Sequence, residues 1–149
     1  MATAQFGRVI TAMITPFTED GAVDYESAVA LAKHLVAHGS EGLLVGGTTG
    51  EGATMTAEEK LKLYTLIVDA VGKRGEGKKV PVMGNIGTIS TADTIAFGNK
   101  AKETGIDCAL VIVPFYVKPN QEGMYQHFTA VAKGVDLPLV LYNVPGRTG

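Results

Sequence analysis

Three short stretches of this chain gather groups able to donate a proton or hold a carboxylate: GGTTGEG at 46–52, PFYVKPNQEG at 114–123 and LVLYNVPGRTG at 139–149. The first sets Thr48 and Thr49 among four glycines, directly after the apolar run Leu43-Leu44-Val45. Two adjacent threonines in such a turn can present hydroxyls and backbone N–H groups to a small carboxylate. The competing reading is that the glycines only make a tight turn between a strand and a helix. Phosphate cradling of the Walker type is excluded, because no lysine follows these glycines. The third stretch places Tyr142 five residues before Arg147. A guanidinium can grip a carboxylate through two parallel hydrogen bonds. A phenol relaying protons beside that grip suits chemistry on a 2-oxo acid. Tyr142 could equally fill an apolar mouth. Tyr116, in the second stretch, is stiffened by Pro114 and Pro119 and reads equally well as a surface or interface aromatic.

The elements that must position these groups follow one recurring pattern. A β-branched apolar run, a turn, an amphipathic segment and a glycine repeat every thirty-odd residues, about the length of a βαβ unit. The runs fall at 9–14, 42–45, 80–83, 109–113 and 138–142, and their lack of polar alternation predicts parallel strands buried on both faces. Helices are predicted at 25–37, 57–71, 92–103 and 122–133. Thr56 with Glu59 makes a capping box at the start of the second. Gly39, Gly105 and Gly134 stand where left-handed glycines would end helices. The charged, glycine-rich patch at 72–79 reads as a solvated turn.

Repeated strand–helix units allow an open doubly wound sheet or a (β/α)8 barrel. The first strand is followed by Thr15-Pro16-Phe17-Thr18 rather than by a glycine fingerprint. The α/β fold expected is therefore a (β/α)8 TIM barrel. A full barrel takes about 250 residues, so 149 residues carry about its first five strands and four helices. Residues 1–149 are expected to be the N-terminal part of a single barrel domain.

Catalytic groups in such a barrel lie at the carboxyl ends of strands. Those ends carry Thr15, Thr48, Thr49, Asn85, Phe115, Tyr116, Tyr142, Asn143 and Arg147. They offer many hydroxyls but only Glu51 as a carboxylate, with His34, His38 and His127 on helices. No metal site is expected from such a set. Net charge is −2, which excludes nucleic acid as an expected partner. There is one cysteine, Cys108, no signal-like apolar stretch at the start and no run long enough to span a membrane. The expectation is a soluble, cytoplasmic protein.

GTTGE at 47–51, PFYVKPNQEGMYQHF at 114–128 and YNVPGRT at 142–148 resemble the dihydrodipicolinate synthase family, over the stretch from about Gly7 onward. That resemblance implies a (β/α)8 barrel followed by a small C-terminal helical domain. It implies condensation of pyruvate with L-aspartate 4-semialdehyde to 4-hydroxy-tetrahydrodipicolinate, in lysine and diaminopimelate biosynthesis. The reaction runs through a lysine Schiff base, with no metal or organic cofactor. Tyr142 matches the family's proton-relay tyrosine, and Thr48 the threonine linking it to a second tyrosine. Tyr116 matches that second tyrosine, which each subunit lends to its neighbour. Thr49 matches a contact to the pyruvate-derived carboxylate, and Arg147 the receiver of the aldehyde's carboxyl end. The implied assembly is a homo-oligomer, a dimer or a tetramer of dimers.

Related N-acetylneuraminate lyases and sugar-acid aldolases share the fold, but Thr48 and Arg147 favour the synthase. The family's Schiff-base lysine lies on the sixth strand, beyond Gly149. Lys118, on a loop, is a poor substitute, because a nucleophilic amine needs a desolvated pocket or a neighbouring cation. These 149 residues alone are accordingly expected to be inactive. A non-catalytic half-barrel that binds small acids or pairs with another chain is the alternative. The resemblance also bears on regulation. Gly52, Ala57, Lys60, Ile89 and Phe115 replace polar residues with which lysine-inhibited relatives bind the inhibitor, and Asp93 replaces a glutamate. Weak or absent lysine feedback is expected.

Overall fold

The computed structural model describes residues 6–73, 75 and 79–149. Five parallel strands pair strictly in chain order, each with the next: β1 (Ile10–Ala12), β2 (Gly42–Val45), β3 (Val82–Asn85), β4 (Cys108–Ile112) and β5 (Leu139–Tyr142). Helices α1 (Tyr25–Ala37), α2 (Ala57–Val71), α3 (Thr91–Glu103) and α4 (Gln121–Gly134) fill the connections, and a short α5 (Pro145–Thr148) follows β5. Sequential parallel pairing with a helix in each connection is how a (β/α)8 barrel is built, and this chain forms a half-barrel. α5 is the element that the hydrophobic pattern does not show. Four residues are too few for periodicity, although Pro145 takes a first-turn position that suits proline.

The two faces of the sheet have different neighbours. Leu43, Val45, Val82, Ala109 and Val111 pack with Ala28, Ala32, Leu63, Ile67, Val68 and Val131 of the helices in the main core. Alternation within each strand sends the intervening residues the other way. Met83, Cys108 and Leu110 form a second cluster there, with Leu44, Val140 and Tyr142 against it.

The helices start where side chains can satisfy their first N–H groups. Asp24, Thr56, Ser90 and Asn120 each accept from a backbone N–H three residues on. Thr56 and Glu59 complete the capping box expected from sequence. Gly39 and Gly105 take left-handed φ values of 106° and 90° after α1 and α3. Gly134 does not: it is the last residue of α4, and Val135 caps that helix. Its small size serves packing instead, since a Cβ there would stand 2.8 Å from Ile95 Cγ2. In the charged patch, Gly72 and Gly75 are buried while Lys73 and Lys79 are exposed. Arg74 and residues 76–78 lie outside the described residues.

Candidate active site

The carboxyl ends of β2, β3 and β4 surround a pocket of about 460 Å³, which Arg147 of α5 also lines. The glycine loop after β2 forms one wall, and its conformation is set from three sides. Thr15, buried after β1, donates to the Gly50 carbonyl at 2.7 Å. Asn85, the last residue of β3, donates from Nδ2 to the Gly46 carbonyl at 2.9 Å and accepts from the Gly87 N–H at 3.2 Å. Tyr64 of α2, fully buried, donates its hydroxyl to the Asn85 carbonyl at 2.7 Å. Burial raises the Tyr64 pKa, so the phenol stays protonated and keeps donating.

The glycines of this loop approach the protein's own chain. A Cβ on Gly52 would overlap the Gly46 carbonyl oxygen, and one on Gly50 would stand 2.9 Å from the Met13 carbonyl oxygen. A Cβ on Gly46, at φ +66°, would stand 2.9 Å from the Tyr64 hydroxyl. The N–H groups of Gly50, Glu51 and Gly52 are spent on carbonyls inside the turn. Tight turning therefore accounts for the glycines. Thr48 and Thr49 are exposed. Neither of their hydroxyls is used in the loop's own hydrogen bonds, and these are what the loop offers to a ligand.

The residues singled out from sequence are only partly gathered. Thr48 and Arg147 line the same pocket. Arg147 is exposed, and its backbone is held by α5, where Thr148 donates to Asn143 Oδ1 at 2.6 Å. Thr49, next along the loop, is not part of the pocket wall. Tyr142 is half-buried on the sheet face opposite the helices, beside Met83, Cys108 and Leu110. Tyr116 is 87% exposed and not part of the pocket wall, at the strained φ of +68°. Lys118 is exposed on the same loop, also left-handed at φ +47°.

Asn85 and Tyr64 were not legible as supports of the site. The signal for Asn85 was a polar residue ending an apolar strand, and Tyr64 lies within an unremarkable amphipathic pattern. Thr15, read as a site candidate, holds the loop instead. Burial pushes the Cys108 thiol up to about 12, which leaves it protonated and unreactive. Among the described residues no group of three or more His, Cys, Asp or Glu side chains could hold a metal ion, and no helix is long and apolar enough to cross a membrane.

A parallel half-barrel with strands paired in chain order and a pocket at their carboxyl ends defines the class: part of a (β/α)8 barrel. The chain belongs to the dihydrodipicolinate synthetase family, whose sequence model matches residues 5–149. It is 56% identical over 143 residues to the 4-hydroxy-tetrahydrodipicolinate synthase of Symbiobacterium thermophilum, covering 96% of this chain and 47% of the relative. It is similar to dihydrodipicolinate synthase from Cyanidioschyzon merolae, solved with lysine bound, at TM-score 0.91 and 46% identity over 97% of this chain and 48% of that one. The Bacillus anthracis enzyme superposes at TM-score 0.90 and 45% identity, with the same two coverages. The chain thus spans about half the length of these relatives, and it forms the five-stranded part of their barrel.

Proposed function

We propose that the protein carrying this chain condenses pyruvate with L-aspartate 4-semialdehyde through a lysine Schiff base, giving 4-hydroxy-tetrahydrodipicolinate for lysine and diaminopimelate biosynthesis in the cytoplasm. The observation that carries this reading is the meeting of Thr48 and Arg147 in one pocket at the carboxyl ends of the strands, in a member of this family. Arg147 takes the carboxylate of the aldehyde substrate, and Thr49 that of the pyruvate-derived group. Tyr142 relays protons, linked by Thr48 to a second tyrosine. No metal or organic cofactor takes part.

That second tyrosine is Tyr116 of a neighbouring subunit, in a homo-oligomer that is a dimer or a tetramer of dimers. Its 87% exposure and its strained backbone support a role outside its own subunit. The nucleophilic lysine belongs to the sixth strand, outside residues 1–149. The rest of the barrel and a C-terminal helical domain lie there too. Feedback by L-lysine is weak or absent, because Lys60 lines the pocket with Gly52, Ile89 and Phe115. A ligand ammonium there meets a like charge.

The test is borohydride reduction in the presence of pyruvate, followed by intact-protein mass spectrometry. The full-length protein gains one pyruvyl adduct, and the 149-residue chain gains none. Full-length protein without an adduct ends the proposal. Tyr142→Phe lowers kcat by about 10²–10⁴-fold, the range for loss of general acid–base catalysis.

A further inference from the structure

Two histidines at the C-terminal end of α1 take no part in the carboxyl-end pocket. His34 and His38 are four residues apart, so their side chains leave the helix on one face. The rings stack, with centroids 4.0 Å apart and an interplanar angle of 28°. Both residues are exposed, so an ion can reach them and keep part of its water. His38 caps the helix, and its Nδ1 lies 2.8 Å from the His34 carbonyl oxygen. A carbonyl only accepts, so Nδ1 carries the proton and Nε2 keeps a bare lone pair. A metal-ligating histidine is held in this way, one ring nitrogen donating to a carbonyl and the other facing the ion.

The surroundings favour a cation. The last turn of a helix carries the negative end of its dipole. Glu41, three residues beyond His38, is engaged by Arg8. Two imidazoles are therefore the protein's share, in keeping with the lack of any cluster of three or more ligands among the described residues. His38 precedes β2, which begins at Gly42, so the pair sits at the amino ends of the strands, opposite the pocket.

We propose that His34 and His38 form a two-histidine chelate for a divalent transition-metal ion of the copper, nickel and zinc class, apart from the catalytic site. Neutral imidazoles suit those metals, whereas Mg²⁺ and Ca²⁺ take oxygen ligands. Water fills the remaining positions on the ion. Because the chelate spans one helical turn, the ion binds the folded chain in preference to the unfolded one and stabilises the end of α1.

The experiment is calorimetric titration of the full-length protein with Cu²⁺, Ni²⁺ and Mg²⁺ in mildly alkaline buffer, repeated on His34→Gln and His38→Gln. Both positions are exposed, so the variants keep the fold, as far-ultraviolet dichroism checks. Cu²⁺ binds more tightly than Ni²⁺, and Mg²⁺ does not bind there. Each substitution weakens Ni²⁺ by about tenfold or more, at least what losing an outer-shell partner costs a metal site. Added Ni²⁺ raises the melting temperature of the wild type more than that of either variant. A smaller loss of Ni²⁺ affinity in either variant would mean independent imidazoles or a site elsewhere, and would overturn the proposal. Mg²⁺ binding that disappears in the same variants overturns it too, since it would reveal an oxygen site. Borohydride trapping of pyruvate is the same in wild type and variants, whether or not the reaction assignment stands. Trapping lost only in the variants would tie the pair to catalysis and overturn the separate site.

Discussion

The glycine loop shows how unequal residues of one type can be. Gly52→Ala forces a methyl group into the Gly46 carbonyl, within a turn pinned by Thr15 and Asn85. Such a clash is expected to cost on the order of 3 kcal/mol or more. At Gly146, in α5, an added Cβ meets nothing within 4 Å, so Gly146→Ala is neutral or stabilising by up to about 1 kcal/mol. Urea unfolding of the two variants checks the contrast, and equal midpoints would contradict it. Asn85→Ala leaves the Gly46 carbonyl and the Gly87 N–H without their side-chain partners, at an expected cost of about 1–3 kcal/mol. Asn85→Asp does not rescue it, because a carboxylate cannot donate to Gly46. Recovery of wild-type stability in that variant would show that the Nδ2 bond carries no weight. At this scale sequence reading found the loop and its threonines. It could not tell that the glycines serve close approach to Met13 and Tyr64, since those contacts join distant parts of the chain.

The helices were legible almost to the residue because their signals are local. α1 and α2 match their expected bounds, α3 starts one residue earlier, and α4 is one residue longer at each end. Side-chain caps and apolar spacing lie within a few positions of one another, so neither needs tertiary information. Strand ends shifted by one to two residues, as at β3, because pairing with a neighbour decides where a strand stops. The α3–α4 contact carries a pH dependence that no local pattern announces. His127 of α4 is buried, with Nδ1 2.9 Å from Thr91 Oγ1 of α3, Nε2 unpaired and the Phe128 ring edge-on to it. Burial lowers its pKa below the ordinary value. The unfolded chain therefore binds a proton at a higher pH than the folded one. Stability is full above about pH 6.5, the unfolded value, and falls as pH drops toward the folded pKa. Melting of wild type and His127→Gln between pH 7.5 and 5.5 checks this. The wild type loses more stability across that window, and parallel curves would remove His127 as the cause.

At the scale of the whole molecule, the sheet is paired and covered unevenly. β2, β3 and β4 have neighbours on both sides, whereas β1 and β5 each present an edge, as the strand order requires. The exposure follows the pairing: Val9, Ile14 and Leu141 are 55%, 55% and 57% exposed, while every residue of β4 is buried. Their apolar character fits strands of a closed barrel. Unpaired edges with apolar flanks are templates for association. The 149-residue chain is therefore expected to self-associate in a concentration-dependent way, visible by sedimentation velocity. Ile14→Lys and Leu141→Lys together place charge on both flanks and shift the population toward monomer, with the far-ultraviolet dichroism unchanged because neither side chain is buried. A wild-type chain that stays monomeric as concentration rises would mean that the flanks are satisfied without a partner, and that edge exposure does not govern its assembly.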